Sequence, residues 1–161
     1  MSIEIERKFL VDAAQFTPPG FGTEIRQGYL VRDAERSVRV RLSRVHHSDG
    51  SIEEVAFLTV KGPGGLMRAE YEYPVPPDDA AEILDRLCLP GEIAKTRYEV
   101  EVSGRVFEVD VFTGCYAGTI VAEVELDDAM AAVTLPDWVT DEVTDDPAWT
   151  NAAMSRRAGQ G

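Results

Sequence analysis

This chain of 161 residues is poor in histidine, cysteine and lysine, and each shortage removes a class of function. The two histidines, His46 and His47, are adjacent in a turn beside Ser48-Asp49-Gly50, where neighbouring side chains diverge. An imidazole-based metal site is therefore not expected. Cys88 and Cys115 are too few for a disulfide scaffold and lack metal-type spacing. Both read as free thiols in a reducing compartment, with the cytoplasm as the expected location. No long apolar run and no charged-then-apolar leader is present, so neither membrane spanning nor export is expected. Basic residues are outnumbered, 16 against 29 acidic, giving a net charge of −13 that argues against a nucleic-acid partner. Gly62-Pro63-Gly64-Gly65 lacks the Gly-Lys-Ser/Thr ending of a phosphate loop and reads as a hairpin turn. No Gly-x-Ser-x-Gly or Cys/His nucleophile arrangement occurs.

What the chain does have is charge sorted by sign. Like-charged residues repeatedly sit two positions apart along strand-like stretches, as at Glu4/Glu6, Arg39/Arg41, Glu70/Glu72, Lys95/Arg97, Glu108/Asp110 and Glu123/Glu125. On a strand, residues i and i+2 share a face about 7 Å apart. An ordinary sheet turns a polar face to water, but such a face mixes signs and includes Thr, Ser and Gln. Like charges held this close repel unless opposite charge lies between them. An anion between the basic pairs and cations between the acidic ones satisfies both, which is the makeup of a metal–polyphosphate site. The three lysines, Lys8, Lys61 and Lys95, all fall inside strand motifs of a chain that otherwise uses 13 arginines. A compact ammonium that can lose its proton is not replaceable by a planar fork.

The length fits one domain with its own core. Alternation predicts strands at about 3–11, 24–32, 36–44, 53–61, 68–75, 93–102, 105–112 and 118–126. The turns between them are mostly short enough for antiparallel hairpins. Pro77-Asp78-Asp79 with Ala80, Ile83, Leu84 and Leu87 predicts a helix stopped by Pro90. Asp146-Pro147 predicts a second helix running to about Arg157, and residues 12–23 have room for a short helical turn. Residues 127–161 carry seven acids against Arg156 and Arg157 and form an acidic helical segment beyond a barrel at roughly 3–126. Trp138 and Trp149, within it, are expected to pack as a lid or plug. The fold class is β-dominated α+β: a closed eight-stranded antiparallel barrel with a charged interior. Its outward apolar parity (Ile3, Ile5, Val38, Val40, Tyr71, Tyr73, Val109, Val111, Val124, Leu126) then needs cover from helices.

Carboxylates without His or Cys favour a hard cation, Mg²⁺ or Mn²⁺, with Glu4, Glu6, Asp110, Glu123 and Glu125 as expected ligands. Lys8, Arg39, Arg41, Lys61, Arg68, Lys95 and Arg97 would grip phosphate oxygens. Arg97 and the basic cluster should lower the pKa of Lys95, making it the candidate base toward an attacking water, with a phosphate clamp as its other reading.

Glu4-Ile-Glu-Arg-Lys8-Phe9-Leu10 resembles the N-terminal Glu-x-Glu-x-Lys signature of the CYTH, or triphosphate tunnel metalloenzyme, superfamily. The resemblance continues in order through Ile25-Arg-Gln-Gly-Tyr29, Val38-Arg-Val-Arg41, Leu58-Thr-Val-Lys-Gly62 and Arg68-Ala-Glu-Tyr-Glu72. It then runs through Lys95-Thr-Arg-Tyr98, Glu108-Val-Asp-Val-Phe112, Ala122-Glu-Val-Glu125 and Trp149-Thr-Asn151, covering nearly the whole chain. It implies one tunnel domain over 1–161, a small-molecule triphosphate substrate and Mg²⁺ or Mn²⁺, with Tyr29, Glu70 and Glu72 as supporting residues. The short architecture looks most like the inorganic triphosphatases, hydrolases that cleave the terminal phosphoanhydride of tripolyphosphate. A thiamine triphosphatase, a class IV adenylyl cyclase and a non-catalytic polyphosphate- or nucleotide-binding module are the alternatives, and a homodimer is left open.

Overall fold

Alternation of charged and apolar residues produces eight long strands, and pairing them in register produces a tube. The computed structural model describes residues 2–63 and 67–160. Its first four strands are β1 (Ser2–Val11), β2 (Thr23–Arg32), β3 (Ser37–His46) and β4 (Ile52–Lys61). They are followed by β5 (Met67–Val75), β6 (Ile93–Val102), β7 (Arg105–Phe112) and β8 (Ile120–Glu125). All pair antiparallel in the order β5-β4-β3-β2-β6-β7-β8-β1, and Glu4 of β1 pairs back with Arg68 of β5 to close the barrel. Closure removes both sheet edges. Of the expected turn at Gly62-Pro63-Gly64-Gly65, the last two residues lie outside the described residues.

A ninth strand was not expected. β9 (Val139–Glu142) lies in the acidic segment read as helical and pairs with β1 at Phe9 and Val11. Its cause is the seam. β5 covers β1 only over Ser2–Ile5, so the later backbone groups of β1 need another partner.

Two helices position the rest. α1 (Pro77–Arg86) begins with proline in its first turn and lays Ala80 and Leu84 on Val40, Leu42 and Ala56 of β3 and β4. Gly28 of β2 makes room beneath it, since a Cβ there would lie 2.9 Å from the Cys88 sulfur. The helix expected from Asp146 is broken in two. Asp146 accepts a hydrogen bond from the Ala148 amide at 3.0 Å and starts one 3₁₀ turn, Pro147–Trp149. Thr150 is extended, and α2 (Asn151–Gln160) follows. α2 docks through backbone: a Cβ on Gly91 would meet the Ser155 carbonyl oxygen at 1.9 Å, and one on Gly159 the Pro90 oxygen at 2.4 Å. Gly91 also has φ +110°, so glycine is required there twice over.

The outward parity is apolar as expected, but its cover differs. Its largest cluster, with Phe9, Phe107, Val109, Ala122 and Val124, lies under Phe16 and Trp138 rather than under a helix. Trp138 stands edge-on to Phe16 and Phe107, with ring centroids 5.3 and 5.8 Å away. It therefore packs outside the barrel, and only Trp149 belongs to the plug. Ile3, Tyr71 and Tyr73 remain exposed. Among the described residues no helix lies over this surface, and the loop segments 12–16 and 127–138 do the covering.

Candidate active site

The inward parity carries the charged pairs. Register sets Glu6 opposite Glu125 and Lys8 opposite Glu123 between β1 and β8. It sets Arg97 opposite Asp110 between β6 and β7, and Lys61 opposite Glu70 between β4 and β5. The resulting chamber has a volume of about 530 Å³, and its wall includes Glu4, Glu6, Arg39, Arg41, Lys61 and Arg97. Arg41, Arg97 and Glu108 also border a second space of about 350 Å³ toward Phe21 and Phe57.

Much of the charge is neutralised within the wall. Lys61 Nζ and Arg68 Nε donate to Glu4 Oε2 at 2.8 and 3.1 Å, and Arg68 reaches Glu6 Oε1 at 3.5 Å. Lys61 also lies 3.5 Å from Glu70, while Thr59 donates to Glu72 at 3.1 Å. Burial opposes ionisation of Glu4, but Lys61 and Arg68 overcome it and hold its carboxyl below the usual range. The like-charged pairs are thus partly answered by opposite charge on neighbouring strands.

Two places are not answered. Arg39 and Arg41 have no carboxylate partner among the described residues, and the Nε of each is buried without a hydrogen bond. Burial, then Arg39 and Arg97, push the Arg41 pKa down. The Arg39 side chain lies beside the Tyr29 hydroxyl, whose pKa burial raises. On the opposite wall, burial and the nearby Glu123 and Glu4 raise the Glu6 carboxyl to about 8. A carboxyl at that value is one the site cannot readily ionise without added positive charge. Uncompensated cations and uncompensated carboxylates therefore face the same chamber.

Deeper in lies a layer of charge centred on the buried Lys95 and Asp110. Asp110 accepts from Lys95 Nζ at 2.5 Å and from Arg97 at 2.7 and 2.9 Å, and Arg97 also bonds Glu108. Arg97 and Lys95 overcome burial to hold Asp110 below its usual range. Burial lowers Lys95 to about 8 despite the pull of Asp110. The expected direction holds, while the main cause is burial rather than neighbouring cations. Lys8 Nζ donates to the Trp149 carbonyl at 3.0 Å and lies 3.4 Å from Glu123. Lys8, followed by Arg97 and Lys95, holds the buried Glu123 carboxyl well below the ordinary range.

The wall fits a hard divalent cation by the chemistry of its donors. Glu4, Glu6, Glu123 and Glu125 sit on adjacent strands with only oxygen to offer, and the raised pKa of Glu6 marks where positive charge would be accepted. Among the described residues no three carboxylates are grouped closely enough to hold a metal ion by themselves. That suits a cation sharing its coordination between one or two carboxylates and phosphate oxygens. Asp110 stands apart from these four, since both its oxygens are committed to Lys95 and Arg97.

Three groups beside the site were not legible in the sequence. Gln27 is fully buried on the inward parity of β2, opposite Arg41. Thr59 is fully buried and bonded to Glu72, and the backbone carbonyl of Trp149 anchors Lys8. Parity on β2 and β4 could have found the first two, whereas a carbonyl contact leaves no mark on the sequence.

Comparison with known proteins bears on this arrangement. The CYTH domain family matches residues 2–148. An inorganic triphosphatase of Acetivibrio thermocellus is 40% identical over 155 residues, covering 96% of this chain and 94% of the relative. One of Nitrosomonas europaea is 36% identical over 157 residues, covering 94% and 96%. A crystal structure of an inorganic triphosphatase superposes with TM-score 0.64 at 31% identity, covering 96% of this chain and 95% of that one. A protein of Pyrococcus horikoshii, at 20% identity and TM-score 0.51 over 78% of this chain and 80% of its own, shares the fold alone.

Proposed function

The chain belongs to the CYTH domain family, and we infer that it is an inorganic triphosphatase, a hydrolase that releases orthophosphate from tripolyphosphate inside the barrel. The observation that carries this reading is the coexistence, in one chamber, of Arg39 and Arg41, which lack a carboxylate partner among the described residues, with the crowded carboxylates Glu6, Glu123 and Glu125. A polyphosphate and a divalent cation neutralise both sets together, which neither ligand does alone. Full-length likeness to two inorganic triphosphatases supports the substrate class.

In this reading Arg39, Arg41, Lys61, Arg68 and Arg97, with Lys8, bind and orient the phosphate chain. Arg does so through paired N–H groups, and Lys as a point charge. Tyr29 supports Arg39, and Glu70 and Glu72 hold Lys61 and Thr59 in place. Glu4, Glu6, Glu123 and Glu125 would hold the cation, for which Mg²⁺ or Mn²⁺ is proposed. When bound, it withdraws charge from the phosphoryl oxygens. Asp110 fixes Lys95, whose lowered pKa leaves a fraction of it neutral near pH 7 and able to take a proton from the attacking water. Water oxygen then bonds to the terminal phosphorus as the bridging P–O bond breaks. The leaving diphosphate keeps that electron pair and is held by arginine. Residues 1–161 act as one tunnel domain, with Trp149 and α2 closing one end. No helix of the described residues is long and apolar enough to cross a membrane. Cysteine scarcity supports a reducing compartment such as the cytoplasm.

Phosphate release from tripolyphosphate, thiamine triphosphate and ATP, each with Mg²⁺, Mn²⁺ or excess chelator, tests the reading. Fastest turnover is expected on tripolyphosphate, abolished by chelator. Preference for an organic triphosphate would move the substrate to the space beside Phe21, and no turnover on any of the three would overturn catalysis.

A further inference from the structure

Gln27 is a fully buried amide with neither Oε1 nor Nε2 hydrogen-bonded to any described residue. Such a group is costly to bury, and the site asks for nothing polar on its other flank: the register partner on β6 is Ile93, and Ile25 precedes it on the same parity. The register partner on β3 is Arg41, whose Nε is equally unbonded, with Arg39 Nε in the same state one inward position along. On the outer face of the same strand Cys88 and Leu84 lie close enough to leave no room for a Cβ at Gly28, which limits any outward shift of the strand. Two neighbouring groups, one an acceptor and one a donor, are thus held side by side on facing strands and left unsatisfied.

We propose that Gln27 is a positioning residue for polyphosphate binding, its carboxamide oxygen taking the Nε–H of Arg41 when an anion engages the outer N–H groups of that guanidinium. This rests on the reading of the chamber as a triphosphate site. A guanidinium fixed at Nε presents its remaining N–H edge in one orientation, which is what paired contact to a phosphate requires. Without that acceptor Arg41 still attracts the anion but samples more orientations, so affinity falls while the bond-breaking step is left alone.

Calorimetric binding of tripolyphosphate and steady-state kinetics on Gln27→Met, Arg41→Lys and the double variant test this. Methionine keeps the length of the side chain but accepts no comparable hydrogen bond, and lysine keeps the charge but has no Nε–H in that position. Gln27→Met is expected to weaken tripolyphosphate binding and raise KM at least about tenfold, the worth of one charge-assisted hydrogen bond, with kcat within about twofold. Its melting temperature should hold or rise, because an unsatisfied amide has been removed. In the Arg41→Lys background the same change should have no further effect on binding. Unchanged affinity in Gln27→Met, or equal effects in both backgrounds, overturns the role of Gln27 while leaving the chamber reading intact. Failure of the unaltered protein to bind tripolyphosphate overturns both together.

Discussion

The two ends of the barrel are built from the same strands on the same parity, yet they hold opposite chemistry. Along β1 the inward residues run Glu4, Glu6, Lys8, Leu10; along β6 they run Ile93, Lys95, Arg97. On β7 they run Glu108, Asp110, Phe112, and on β8 Val121, Glu123, Glu125. The apolar members, Leu10, Ile93, Phe112 and Val121, gather at one end around Met154 and Trp149 of the plug. The charged members surround the open chamber. Between them lies the most deeply buried charge in the molecule, Lys8, Lys95 and Asp110. An inverted, charged interior is tolerated because it stops where the plug begins, and the closed end supplies the ordinary core that the open end forgoes.

The largest effect should come at the boundary. Asp110→Ala leaves Lys95 buried without its counter-charge and Arg97 with Glu108 alone, and is expected to destabilise by about 3–5 kcal/mol in urea unfolding. A loss under about 1 kcal/mol would mean that the boundary layer is solvated like the open end. At the closed end, Met154→Ala removes a buried side chain from the plug and should cost about 2–5 kcal/mol in the same experiment. The open end should behave differently. Arg41→Ala is expected to leave urea stability nearly unchanged while weakening tripolyphosphate binding by about 1.5–3 kcal/mol in calorimetry. Loss of stability without loss of binding would place Arg41 on the structural side of the comparison.

A different kind of effect is a pH dependence. Glu6 titrates at about 8 in the folded barrel against 4.5 for the free side chain, so the folded state holds the extra proton between those values. Its contribution to stability is complete below about 4.5 and disappears as pH rises through 8. The metal-free protein should therefore melt higher at pH 5.5 than at pH 8, and Glu6→Gln should flatten that difference. An equal slope in the Gln variant would assign the dependence to other groups.

How much of this the sequence carried depends on the end considered. Charge alternation exposed the open end almost completely, because sorted like-charged pairs at spacing two have few structural explanations. The eight barrel strands and their order of inward residues followed from the same signal. The closed end was much less legible. Leu10, Ile93, Phe112 and Val121 look like any strand residues, and only contact with α2 makes them a stopper. β9 escaped because four residues in an acidic stretch carry no alternation, and the bare seam of β1 that recruits them is a property of the closed barrel. Asp110 was read with the acidic pairs by spacing alone. Its register opposite Arg97 gives it to the basic layer.

Thermal melting of the full chain with tripolyphosphate alone, with Mg²⁺ or Mn²⁺ alone, and with both tests most directly the claim that the open end is made for an anion and a cation together. The account predicts that the pair raises the melting temperature by clearly more than the sum of the separate shifts. Additive shifts, or a full shift from tripolyphosphate in the presence of chelator, would contradict it.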